Sequence, residues 1–156
     1  MFRIRRFQAQ DHDAVISLHH LGLDQYGANA GPGPWDDDLE DIPANYLRAS
    51  GEFIVGTWDD RVVAMGALRR VSDDTAEIKR MRVHPDFQRQ GLGDAILREL
   101  EHAAEELGYS RAVLDTTVKQ VPAQNFYQKH GYVVTGRDLS GPLGLIFFEK
   151  DLRGRP

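Results

Sequence analysis

The segment with the most chemical content is Val83-His84-Pro85-Asp86-Phe87-Gln88-Arg89-Gln90-Gly91-Leu92-Gly93. Its two glycines stand where an extended, apolar-alternating run gives way to a long amphipathic one. Glycine lets backbone approach a ligand closely, and the first turn of a helix leaves N–H groups without intrahelical acceptors. With the positive end of the helix dipole, those donors form an anion site, and a diphosphate fits such a cradle. Arg89 adds a positive charge. Two common phosphate motifs are excluded. A dinucleotide fingerprint needs a third glycine where Ile96 stands, and a P-loop needs a lysine where Asp94 stands. The plain alternative, a strand–turn–helix whose glycines serve packing alone, remains open on spacing.

Other reactive groups narrow the chemistry further. The chain has no cysteine, so thiolate catalysis and disulfides are out. His19 and His20 are adjacent and point apart on a helix, and no His-x-x-x-His pair exists. Asp36-Asp37-Asp38 lacks the spacing and glycine of a calcium loop. No metal is expected.

The elements that must position the glycine loop follow from periodicity. Phe2–Phe7 alternates as a half-buried strand does, and residues 11–22 carry Val15, Leu18 and Leu21 at helical spacing. Gly27–Pro34 reads as a loop, and Asp36–Asp38 cap a helix running to Ala49. Phe53–Trp58, the tight turn Asp59-Asp60 and Val62–Leu68 form a hairpin. In Ala76–Val83, Ile78 is even while Met81 and Val83 are odd, so a regular strand cannot put all three on one face. An extra residue near Lys79-Arg80, a β-bulge, reconciles them and splays the strand to open a cleft. Gly91–Leu107 is a helix with the stripe Leu92, Ile96, Leu100, Ala103 and Leu107, and Gly108 ends it. Ala112–Leu114 is a buried strand. Pro122–His130 is a short helix, and Tyr132–Thr135 and Leu145–Phe148 are closing strands. The middle strand–helix–strand unit is expected to be parallel, giving an α/β (α+β) class with a mixed sheet.

Size and charge set outer bounds. At 156 residues the chain has the length of one ordinary domain, and a single domain over 1–156 is expected. A net charge of −5 argues against non-specific nucleic-acid binding. The charged, alternating N-terminus and the lack of a long apolar run predict a soluble, cytoplasmic chain without membrane contact.

Gln88–Gly93 resembles the Q/R-x-x-G-x-G/A signature of the GNAT N-acetyltransferases. Glu77–Pro85 is similar to that family's fourth strand, and Ala123–Tyr132 resembles its A-x-x-F-Y-x-x-x-G-F/Y pattern. The three occur in the family's order. The resemblance implies a twisted, mostly antiparallel sheet flanked by helices, opened between a parallel fourth and fifth strand. Acetyl-CoA would lie in that opening as co-substrate. Its pyrophosphate would meet Gln88, Arg89, Gln90, Gly91, Leu92, Gly93 and Asp94, and its pantetheine would meet the backbone of Met81, Arg82 and Val83. Gln120 stands where the family often has Asn, so that contact is expected to be shifted or absent. Asn125 is a further implied contact. Asp94 suits the helix dipole but repels a diphosphate, so it must point away.

The implied reaction is transfer of acetyl to a primary amine by direct attack in a ternary complex. Glu77, fourteen positions before Gly91, resembles the base of protein-lysine-acetylating members. The plain alternatives are a Glu on the solvent face, or one paired with Lys79 or Arg111. Asp115 is a second base or a turn-capping acid. Tyr127 is the implied acid at the thioester sulfur, with Phe126 taking the packing role. The N–H of Val83 is the implied oxyanion donor. Residues 20–50 and 137–144 are left to specify the acceptor. The acids at 36–41 hint at a cationic amine, against the plain reading of a solvated helix start. A small-molecule acceptor is slightly favoured over a protein or peptide amine, and a non-catalytic acyl-CoA sensor is the rival of another class. Monomer and homodimer are both compatible with the sequence.

Overall fold

The computed structural model describes residues 1–25 and 34–153. The predicted loop over 27–33 lies outside the described residues. Seven strands form one sheet in the order β1-β2-β3-β4-β5-β7-β6. They are β1 (Phe2–Arg6), β2 (Glu52–Trp58), β3 (Arg61–Arg70), β4 (Thr75–Val83), β5 (Arg111–Thr117), β6 (Val133–Asp138) and β7 (Leu145–Asp151). Every pairing is antiparallel except β4–β5. The helices are α1 (His12–Gln25), α2 (Leu92–Glu106) and α3 (Val121–Lys129).

Both faces of the sheet are covered, which explains why β2 and β3 read as continuous apolar runs rather than as an alternation. Ile54, Ala64 and Leu68 pack with Ile96, Leu97 and Leu100 of α2 and Tyr127 of α3. Phe53, Val55, Met65 and Ala67 face the other way, onto Val15 and Leu18 of α1 and onto Leu39, Ile42 and Tyr46. The turn between β2 and β3 has positive φ at Asp59 (48°) and Asp60 (70°), the mirror-image geometry that matches strand twist.

Three sequence expectations are corrected. The helix expected from Asp36 to Ala49 is two short pieces, a 3-10 helix over Pro34–Leu39 and a single π turn over Pro43–Leu47. Pro43 lacks an N–H and cannot continue the first piece. The buried stripe of α2 is Leu92, Ile96, Leu97, Leu100 and Ala104, while Leu107 lies past the helix end and is 48% exposed. Glu101 is on the inner side, not the outer one. It is buried, and its charge is met by the Tyr132 hydroxyl at 2.8 Å and Lys150 Nζ at 3.0 Å.

The parity argument for β4 holds. Ala67 faces Lys79 and Met65 faces Arg82, so β3 advances two residues while β4 advances three. Arg80 carries the irregularity at φ 59°. Ile78 lies in the α2-side core, and Met81 and Val83, beyond the extra residue, pack against that same core. Gly66 stands opposite the bulge. A Cβ there would lie 2.7 Å from both Ile96 Cγ2 and Leu100 Cδ1.

The two parallel strands hold together over only three rungs, from Thr75↔Arg111 to Glu77↔Val113. Beyond them β5 keeps its pairing with β7 as far as Thr117, while β4 follows β3 away. The cleft opens there. Gly66→Ala should cost about 1–3 kcal/mol by overpacking this junction. Denaturant unfolding measures it, and an unchanged midpoint would mean α2 can shift freely at Gly66.

Candidate active site

The cleft between β4 and β5 encloses about 590 Å³, within the range of small-ligand sites. Met81, Arg82 and Val83 form one wall, Gln88, Arg89 and Gly91–Asp94 one end, and Gln120, Ala123, Phe126 and Tyr127 the α3 wall, with Gly22 of α1 closing in beside Arg82.

The anion cradle forms as the glycines predict. Gly91 is the residue preceding α2 and has φ 81°, and Arg89 has φ 64°. The first helical hydrogen bond runs from Ala95 N–H to Gly91 O at 3.1 Å. Among the described residues the N–H groups from Arg89 to Asp94 have no acceptor, so six donors are left for a ligand. Gln88 is spoken for: its own N–H reaches Pro85 O and its side chain donates to Val83 O at 3.1 Å. Asp94 is also handled. Nε2 of His130, at the end of α3, donates to Asp94 Oδ1 at 2.5 Å, which offsets the repulsion its carboxylate would exert on a diphosphate. The residues therefore fit a diphosphate-bearing cofactor such as acetyl-CoA.

His84 N–H donates to Val63 O on β3 at 2.7 Å. Polar groups alternate along a strand, so Met81 and Val83 turn theirs toward the opening. Their carbonyls are met there by side chains, Arg82 Nη1 on Met81 O at 2.7 Å and Gln88 on Val83 O. The Val83 N–H faces the cleft, as an oxyanion donor must.

The implied packing roles of Phe126 and Tyr127 are reversed. Tyr127 is 6% exposed, its ring set against Tyr132 and Phe148, while Phe126 is the half-buried one beside Gly93. Tyr127 still lines the cleft. Burial pushes its hydroxyl well above the ordinary tyrosine value, against the opposing pull of Arg82. Gln120 lines the cleft and turns its Oε1 to Thr117, 3.2 Å from its N–H and 3.0 Å from its hydroxyl. Gln90 and Asn125 are exposed and are not among the residues that line the cleft.

The carboxylates sort themselves by partner. Glu77 sits on the last closed rung and is held by Arg69 Nη2 at 2.7 Å. Asp115 lies two residues beyond that rung on β5 and has no ion pair among the described residues. Desolvation first, then repulsion from Glu77, pushes its carboxyl above the ordinary value. Asp36 and Asp38 are not a free acidic patch. Arg80, thrown across by the bulge, donates Nε to Asp38 at 3.1 Å and Nη1 to Asp36 at 3.2 Å. Tyr46 bonds Asp38 as well. Burial favours the neutral acid, but Arg80 and Tyr46 outweigh it and hold Asp38 below the usual carboxylate range.

Sequence reasoning missed His19, whose only signal was its place on the inward stripe of α1. The side chain is 1% exposed. Nε2 lies 2.9 Å from Asp36 Oδ1 and Nδ1 lies 3.4 Å from Arg82 Nη2. Arginine can only donate, so Nδ1 accepts and Nε2 carries the proton. Burial, then the charges of Arg82 and Arg80, pushes its pKa down to about 4, so the ring is neutral near pH 7. His20 joins His19 and Asp36 in a group whose ligand atoms lie within 4.8 Å. The two arginines on this group oppose a cation.

Gly91→Glu should leave a folded chain that no longer binds coenzyme A, because φ 81° disfavours any side chain and a Cβ there meets only Asp94 Oδ2, at 4.0 Å. Calorimetric titration checks it, and undiminished binding would remove the cradle from the argument.

Residues 15–132 match the acetyltransferase (GNAT) family. Human N-acetyltransferase 8 is 34% identical over 106 residues, 64% of this chain and 47% of that protein. Human N-acetylaspartate synthetase is 34% identical over 121 residues, 70% of this chain and 40% of that protein. These alignments thus span less than half the length of either relative. In three dimensions the chain is similar to yncA of Salmonella typhimurium, described as an acetyltransferase with its cofactor acetyl-CoA, at a TM-score of 0.78 and 20% identity over 100% of this chain and 96% of that one. No described helix is long and apolar enough to cross a membrane. With its split parallel pair, its bulged fourth strand and its open amides at α2, the chain belongs to the acetyltransferase (GNAT) family.

Proposed function

We propose that the protein transfers acetyl from acetyl-CoA to a primary amine by direct attack in a ternary complex, and that the acceptor is a small molecule. The observation that carries this reading is the row of six unbonded amides, Arg89–Asp94, at the mouth of a cleft that Tyr127 also lines. When bound, acetyl-CoA supplies the acetyl group and its thiolate leaving group. The amides hold the pyrophosphate, and the Val83 N–H donates to the charge that develops on the acyl oxygen. The Tyr127 hydroxyl, kept protonated by burial, gives its proton to the leaving sulfur. Asp115 receives the amine's proton, directly or through water. Glu77, paired with Arg69, acts beside it as the charge that raises Asp115 rather than as the base itself.

Two features support a small acceptor. Arg80 clamps the 34–39 segment onto β4 through Asp36 and Asp38, which leaves that segment less freedom to open around a protein chain. One relative is named for making N-acetylaspartate, a small acylated amine. Parallel panels of peptides and small amines separate this reading from a protein acceptor. Cofactor binding without turnover on either panel would favour a sensor.

Thermal unfolding with acetyl-CoA, and with NADH and ATP as controls, tests the cofactor. Acetyl-CoA at a hundredfold its Kd should add about 2.7 kcal/mol of stability. No shift with any of the three would withdraw the reading. Tyr127→Phe should lower kcat by roughly a hundredfold or more at unchanged coenzyme A affinity. Unreduced turnover would leave Tyr127 as a core aromatic.

The pH dependence follows from Asp115. Its carboxyl is raised, so it becomes a competent base only as pH climbs through that raised value. Turnover should therefore rise with pH on the acid side, and Asp115→Asn should remove that limb. If Glu77→Gln removes the limb and Asp115→Asn does not, the base is Glu77.

A further inference from the structure

Arg82 is the least explained charge in the molecule. Its Nε is buried and, among the described residues, has no partner. Its other contacts are a carbonyl, Met81 O, and the lone pair of a neutral ring, His19 Nδ1. Among the described residues no carboxylate bonds it. Asp36, the carboxylate whose charge acts on it, is already bonded to both His19 and Arg80. Residues 26–33, which the structure does not describe, contain no Asp or Glu, so no acidic side chain can come from that segment. Burial, then the charge of Arg80, pushes the guanidinium down to about 10, the mark of a cation held where water and counter-charge are both scarce.

The fold goes to some length to keep it there. Gly22 sits inside α1, where glycine costs about 1 kcal/mol relative to alanine. A Cβ at Gly22 would lie 2.5 Å from Arg82 Cδ. The glycine makes room for this side chain. Arg82 and Gly22 line the cleft together, and Arg82 and Asp115 both act electrostatically on Tyr127. A cation and a proton donor thus line one cleft, and the carboxylate of Asp115 is near enough to act on the donor. A guanidinium that lacks a counter-charge is stabilised most by a carboxylate.

We propose that the acceptor amine carries a carboxylate, as an amino acid does, and that Arg82 binds it and so sets the enzyme's acceptor preference. This rests on the acetyltransferase reading above. The carboxylate docks on the Nη side of Arg82 that lines the cleft, while Nε stays covered beside Gly22, and the amine at the other end of the same molecule turns toward Asp115. His19, fixed by Asp36, orients the guanidinium without neutralising it. The anion in question is the acceptor's and not the cofactor's. Arg82 projects toward α1, whereas the amide cradle lies at the start of α2.

The test uses the full chain saturated with coenzyme A. A panel of free amino acids and N-acetylamino acids is titrated against the matching carboxamides by calorimetry, and kcat/KM is measured for the amino acid and amino amide pairs. The wild type should favour the acid over its amide by roughly tenfold or more. Arg82→Met should bring that ratio to about one, and Arg82→Lys should keep part of it. Equal binding of acid and amide by the wild type would overturn the proposal, as would a preference that survives in Arg82→Met. So would a loss of coenzyme A affinity in Arg82→Met with the acid-to-amide ratio intact, which would give Arg82 to the cofactor. If Arg82→Met does not fold, the wild-type ratio and the lysine variant decide. Failure of the acetyltransferase reading looks different: no amine is turned over, while the binding panel still reports whether Arg82 selects carboxylates.

Discussion

The parting of β4 from β5 depends on one extra residue. Two parallel strands that paired along their whole length would satisfy each other's amides and leave nothing for a ligand. Arg80, at a left-handed φ of 59°, inserts one position that β3 does not match. Past it, Met81 and Val83 fall back onto the α2-side core, and β4 stays with β3 while β5 stays with β7. The opening is therefore held by ordinary antiparallel pairing on both outer sides, and it needs no bound cofactor to keep it apart. Gly66 is the concession on β3 that lets α2 press against this point.

The same insertion distributes the charges. Without it, Arg80 would point into the apolar layer beneath α2. With it, Arg80 reaches the opposite face and gathers Asp36 and Asp38, so a stretch with little regular helix is tied to the sheet. A guanidinium fork between two carboxylates is a strong partner for buried acids. It leaves Arg82, the next charge on that face, with a neutral histidine.

Much of the fold was legible because its signals were local. The bulge could be read from the parity of Ile78, Met81 and Val83. The cradle could be read from Gly91 and Gly93, and the hairpin from Asp59-Asp60. What failed was what depended on distant neighbours. Pro43 broke a helix that acids at 36–38 had suggested. Leu107 kept the right spacing but fell beyond the last turn. Phe126 and Tyr127 exchanged packing roles because the closing strands, not the helix, decide which ring is buried. His19 and Arg82 were invisible as a pair, 63 positions apart in the chain. The sequence offered Lys79 or Arg111 as partners for Glu77, because nothing local marks Arg69, eight residues earlier on the neighbouring strand, as the one that bonds it.

The bond between His130 and Asp94 also joins two helices with different tasks. Asp94 belongs to α2, whose first turn presents the amides, and His130 ends α3, which carries Tyr127. The two sides of the cleft are thus braced against each other at the point where a phosphate would enter. The spacing between the open amides of α2 and the Tyr127 hydroxyl on α3 is set by this brace, much as the span of a caliper is set at its joint. A flexible cofactor arm many bonds long can then be delivered to a fixed place, because the protein, and not the arm, keeps the measure.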